Sequence, residues 1–89
     1  MKEFKGTPGP WHVMRGDVLD KNGRMVACIE GFCPGEIEIY DAKLIAAAPD
    51  LLEALQKMFR AGQKQNWNER YESEMSAARA AISKALGEE

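Results

Sequence analysis

His12, Cys28 and Cys33 are the residues whose types could do chemistry here: one imidazole and two thiols are the usual raw material of a metal centre or a nucleophile with its base. His12 is the single histidine, so general acid–base work near neutral pH would fall to it most easily. A structural zinc, however, takes four protein ligands at tighter paired spacing than Cys28 and Cys33 offer. A cysteine–histidine dyad needs a geometry that one residue on a strand and one in a loop do not establish. No glycine-rich phosphate loop ends in Lys-Ser or Lys-Thr; Gly6, Gly9, Gly16 and Gly23 fall at turns. We expect no metal, no cofactor, no catalytic residue and no enzymatic activity. In a reducing cytoplasm Cys28 is expected as a small buried thiol and Cys33 as a partly exposed one, without a disulfide.

Binding is the class that remains. Trp11, Tyr40 and Trp67 are amphipathic aromatics of the kind that anchor interfaces, although such rings also close core edges. If the first strand lies beside one ending at Tyr40, then Trp11, His12, Tyr40 and Lys43 flank a concavity. Lys43 and nearby helix amides would give it an anion-seeking wall suited to a nucleotide-like ligand.

The elements that must position these residues follow from local pattern. Gly6-Thr7-Pro8-Gly9-Pro10 is a turn-rich entry, and Trp11–Arg15 reads as a short strand. Asn22-Gly23 tolerates positive φ at both positions and predicts a tight type I′ turn joining Asp17–Lys21 to Arg24–Glu30, with Leu19 across from Val26. Gly31–Gly35 reads as a loop. Glu36-Ile37-Glu38-Ile39-Tyr40 alternates polar and apolar residues, which predicts a further strand with Ile37 and Ile39 turned to the core. The acids Asp17, Asp20, Glu30, Glu36 and Glu38 then line the wet side of a half-solvated sheet.

The second half is helical. Asp41 is a candidate N-cap for a helix bearing Leu44, Ile45 and Ala48 on one face. Pro49 lacks an amide proton and disfavours the α region at Ala48, so that helix should stop or kink there. A new helix can start at Pro49 with Asp50 and Glu53 at its positive end. Leu51, Leu52, Leu55, Met58 and Phe59 form its stripe, and Gly62 is a natural stop. Asn66 and Glu69 approximate a capping box for a final helix with Tyr71, Met75, Ala78, Ile82 and Leu86 on one side. Its alanines allow close helix approach, against Leu51–Phe59 or against a second copy. Tyr71, Met75, Ala78 and Ile82 are therefore the candidate oligomer or partner surface. The expected fold is α+β: an antiparallel sheet of three or four strands, residues 1–40, packed by a helical part, residues 41–87, with a Pro-kinked first helix, in one domain.

These segments also carry a resemblance. Gly9-Pro10-Trp11-His12-Val13, the run Asp41-Ala42-Lys43-Leu44-Ile45-Ala46-Ala47-Ala48-Pro49-Asp50-Leu51-Leu52-Glu53-Ala54-Leu55 and the closing Ala77-Ala78-Arg79-Ala80-Ala81-Ile82-Ser83-Lys84-Ala85-Leu86-Gly87 resemble a widespread group of small tailed-phage and prophage proteins, whose members also pass through an Asp-x-x-Gly hairpin. The likeness spans most of the chain. Asp41 and Lys43 stand where that pattern has Asn and Arg, which keeps the cap and the positive charge. The resemblance implies a phage origin and a fold rather than a mechanism.

At 89 residues with a formal net charge of −2, the chain makes one small domain of modest core, a size that gains from self-association. Lys57, Arg60, Lys64 and Arg70 read as a solvated edge interspersed with acids, not as a nucleic-acid footprint. No window reads as a signal peptide or a bilayer span, which points to the host bacterial cytoplasm. The expectation is a phage accessory protein that binds a host protein or a nucleotide-type small molecule, as a homo-oligomer and without membrane or nucleic-acid partners. The alternative is a structural, assembly or DNA-handling role in the phage.

Overall fold

The computed structural model describes residues 3–29 and 36–88, with side chains from residue 39 onward in the second stretch. The order of elements is β1 (Trp11–Met14), β2 (Asp17–Asp20), β3 (Met25–Cys28), α1 (Glu36–Lys64), α2 (Trp67–Arg70) and α3 (Glu72–Leu86). This is the expected α+β arrangement, with a three-stranded antiparallel sheet in order β1-β2-β3 followed by a helical region.

The chain forms two compact units, one of residues 6–50 and one of residues 51–88 with residues 3–5. In the first, β1 and β2 pair with Trp11 opposite Asp20 and Val13 opposite Val18 on the inner face. His12 opposite Leu19 and Met14 opposite Asp17 lie on the outer face. Val18 is wholly buried and packs with Ala42 and Ala46 of α1, bordered by Trp11, Val13, Val26, Ala27, Ile29 and Ile45. Small residues one helical turn apart let the helix axis come close to the strands, so the core face here is Ala42, Ile45 and Ala46. Leu44 and Ala48, expected on that face, are exposed.

Four local expectations are corrected. The segment Glu36–Tyr40 is the first part of α1 and not a strand, and Ile39 and Tyr40 are exposed; the side chain of Ile37 lies outside the described residues. Five alternating residues are too few to separate a period of two from the helical period once the chain continues into Asp41–Ala48. α1 does not stop at Ala48 but runs through Pro49 to Lys64, because Leu51, Leu52, Leu55 and Phe59 continue the pattern beyond the one amide lost. Asn66 gives no side-chain cap, having taken a left-handed conformation at φ 61°, and the final helix is broken at Tyr71 into α2 and α3. Cys28 is exposed, whereas Cys33 lies outside the described residues.

The turns exchange roles as well. Met14 pairs with Asp17, leaving Arg15 (φ 52°) and Gly16 (φ 83°) as a two-residue loop with positive φ at both positions, the type I′ signature. At the other hairpin only Gly23 has positive φ, and its amide donates to the Asp20 carbonyl across 3.1 Å. The Asp20 carboxylate accepts from the amides of Asn22 at 2.8 Å and Arg24 at 2.9 Å, so a side chain organises the loop. An irregularity between Val18 and Leu19 then sets Leu19 opposite Met25 and not Val26.

Candidate functional site

The residues expected to line one ligand concavity do not come together as such. Trp11 faces the core and its indole N–H donates to the Thr7 carbonyl at 3.2 Å. His12, the next residue on the strand, points to the opposite face and is exposed. Tyr40 stands on α1, 65% exposed, with the Lys43 ammonium 5.2 Å from its ring centroid. The premise of a strand ending at Tyr40 fails, so what remains is a cation over a ring one helical turn away. Among the described residues, no group of three or more His, Cys, Asp or Glu side chains could hold a metal ion. No described helix is long and apolar enough to cross a membrane.

The second unit carries the more developed surface. Phe59 of α1, 5% exposed, packs with Met75 and Ile82 of α3, flanked by Leu52, Leu55, Trp67, Ala78 and Leu86. Burying Phe59 alone contributes about 1.5–3 kcal/mol, and the Arg79 guanidinium carbon lies 5.6 Å from the ring centroid. Trp67 is brought in by the left-handed Asn66, and Tyr71 follows one turn later. Their rings meet edge to face, centroids 5.9 Å apart at 82°, the arrangement aromatic quadrupoles favour. The break at Tyr71 is still bonded, its amide donating to the Trp67 carbonyl at 2.7 Å and its carbonyl accepting from the Met75 amide at 2.9 Å.

Between these elements lies an apolar groove of about 330 Å³ walled by Leu55, Met58, Phe59, Trp67 and Tyr71, with Met75 and Ala78 at its base. The volume falls in the range of sites that hold small molecules or partner side chains. Met58 is 60% and Tyr71 46% exposed, so large apolar groups flank it on two sides. Glu74 is the one charged lining residue, and it accepts from the Ser73 hydroxyl at 2.8 Å. Nothing in the groove resembles a nucleophile with a base. Its chemistry is that of burial: the walls can desolvate an apolar group, and the carboxylate can meet a donor or a cation.

Three of the four residues expected at a partner surface, Tyr71, Met75 and Ala78, do line this groove. Met75 and Ile82, however, give most of their area to the chain's own core. The pattern reading missed Glu74 and left Trp67 among three aromatics that either anchor an interface or close a core edge. The spacing Trp67, Tyr71, Met75, four residues each, was the available signal.

Fold and site together define a small α+β protein with a sheet-and-helix unit and a helical unit bearing an apolar groove. The chain belongs to the family described as Salmonella phage P22 protein Y8K6, whose model matches residues 1–89. No curated protein and no solved structure gave a match.

Proposed function

We propose that this phage protein is an accessory factor that acts in the host bacterial cytoplasm by non-covalent binding, countering host defence or host machinery by occupying a host protein surface. The observation that supports this reading is the groove flanked by exposed Met58 and Tyr71, because large apolar groups left in water around a concavity are the usual mark of an interaction site. A homo-oligomer is part of the reading. Leu51 and Met58, each more than half exposed, lie seven residues apart along α1, a spacing that lets two helices associate. No covalent step is assigned to the protein.

The test is co-purification from infected or expressing cells. The reading expects one host protein to be retained by the natural chain and lost with Tyr71→Glu, while the helix content of the variant is unchanged. Its competitor within the same class is a sponge for a signalling nucleotide, supported by the exposed Tyr40 ring with Lys43 over it. Thermal stabilisation by cyclic or ADP-ribose-type nucleotides, with no retained protein, would favour the sponge. Detection of the chain in purified particles would favour a structural, assembly or DNA-handling role.

A further inference from the structure

We infer that α2 is a strap along the groove, hung on Asn66 and Tyr71 and latched by the Trp67 indole against Gly62, so that the groove widens when the latch lets go. This deepens the proposed binding role, on which it rests for its purpose though not for its geometry.

α1 supplies Met58 and Phe59 to the groove and α3 supplies Met75 and Ala78, whereas the remaining wall, Trp67 and Tyr71, comes from the short segment between the two long helices. That segment is built differently from its neighbours. α2 has only four residues, none of them fully buried. It starts at Asn66, left-handed at φ 61° and ψ 31° without a side-chain cap, and ends at Tyr71, where φ −129° and ψ 56° lie outside the helical region. Asparagine enters and leaves the left-handed region more easily than most residues with a side chain. Hinges are a few residues at element ends that absorb a change in backbone angle, and two such positions here bracket a one-turn rod. Outside the helices, the described backbone bonds of the segment are all local. The amides of Gln65, Asn66, Glu69, Tyr71 and Met75 donate to the carbonyls of Gly62, Gln63, Asn66, Trp67 and Tyr71.

What ties this rod to the long helices is the Trp67 ring. The ring packs against the cluster of Phe59, Met75 and Ile82, and it lies so close to Gly62 that no β-carbon fits between them. The missing side chain of Gly62 is therefore the seat of the latch. Tyr71, at the second joint, leans edge to face on the same indole. Release of one ring thus moves the other, and both belong to one wall of the groove. A segment held by few buried side chains opens at lower free energy than the elements around it. Phe59, Met75 and Ile82 stay buried against one another whether or not the indole is seated, so α1 and α3 need not open with the strap.

The experiment uses the full chain carrying 5-fluorotryptophan, the Trp67 signal being assigned by the loss of the other in Trp11→Phe. Fluorine and amide-nitrogen relaxation dispersion should show microsecond-to-millisecond exchange at Trp67 and at the amides of residues 66–71, with an open population on the order of 1%. Residues 53–60 and 75–82 should show none. Gly62→Ala, which fills the seat, should raise the open population about tenfold, with helix content unchanged by circular dichroism. Should that variant not fold, hydrogen exchange of the natural chain decides. The Tyr71 amide should exchange about tenfold faster than those of residues 78–82, and without the urea dependence that they show. Absence of dispersion at residues 66–71 would overturn the inference. So would exchange at Tyr71 that matches residues 78–82 in rate and urea dependence, because the strap would then open only with the whole unit. A host protein retained by a chain whose strap is rigid leaves the binding role standing without this device. A mobile strap with no host protein retained leaves the device standing without that role.

Discussion

A β-carbon at Gly62 would stand 2.5 Å from Cε3 of Trp67 and 3.0 Å from its Cδ2, closer than side chains approach one another. The glycine is there because the indole occupies the space a side chain would take. α1 continues past it to Lys64, so its role is one of proximity and not of helix termination.

Gly62→Ala therefore sets two effects against each other. Alanine in a helix interior is worth about 0.5–1 kcal/mol over glycine, whereas forcing a methyl into a filled site costs about 1–3 kcal/mol. We expect the clash to win, lowering the urea midpoint and shifting Trp67 fluorescence to the red in a Trp11→Phe background. A midpoint that rises would mean the indole moves aside freely.

Arg15 holds φ 52° at the tip of the β1–β2 hairpin. A left-handed conformation costs a residue with a side chain about 1–2 kcal/mol, and part of that is recovered by Arg15→Gly after the extra freedom of the unfolded glycine is subtracted. The melting temperature should rise by a few degrees, given roughly 4–8 °C per kcal/mol for a domain of this size. Arg15→Val should lower it, since a branched side chain tolerates that conformation worst.

Asp20 is 7% exposed, and its carboxylate is held below the usual 3.8, chiefly by the Arg24 amide and also by the Asn22 amide, against the opposing effect of burial. A carboxyl lowered in the folded state stabilises the fold above its unfolded value and loses that contribution as pH falls through the folded one. The melting temperature of the natural chain should consequently decline below about pH 4. Asp20→Asn, which has no charge to lose, should show a flatter acid limb; an identical limb would remove Asp20 as its source.

Leu51→Lys places a charge on the exposed stripe that Leu51 shares with Met58. If copies associate along α1, native mass spectrometry should show the oligomer of the natural chain replaced by monomer, with helix content unchanged. An unaltered mass would place any association elsewhere.

His12 lies on the outer face of the sheet, exposed and paired across β1 and β2 with Leu19. His12→Ala should leave the effect on the host intact when measured in infected cells, as expected for a protein that acts by binding. Abolished activity in a folded variant would place His12 in the working site of the protein.

The three strands, the α+β order and the stripes through Leu52, Leu55 and Phe59 and through Met75, Ile82 and Leu86 were legible because each depends on local periodicity. What escaped the sequence depended on distant partners. Ala42 and Ala46 became core because the sheet approaches them, whereas the greasier Leu44 stayed in water. Asn22-Gly23 looked like the tighter turn, yet Asp20 supplies two hydrogen bonds that favour the longer loop, and the two-residue turn fell to Arg15-Gly16. Pro49 was read as a stop or kink and Gly62 as a stop, although α1 runs through both to Lys64. The groove was half visible: Tyr71, Met75 and Ala78 follow helical spacing, but Trp67 and Glu74 enter only through the left-handed Asn66 and the break at Tyr71.

A β-carbon at Gly9 would lie 2.7 Å from that of Pro49. The opening Gly9-Pro10-Trp11 and the Ala48-Pro49-Asp50 segment are thus a single steric unit written in two places. A side chain gained at the first position would meet the β-carbon of the second, so the path by which the chain enters the sheet and the middle of α1 are set by one close approach.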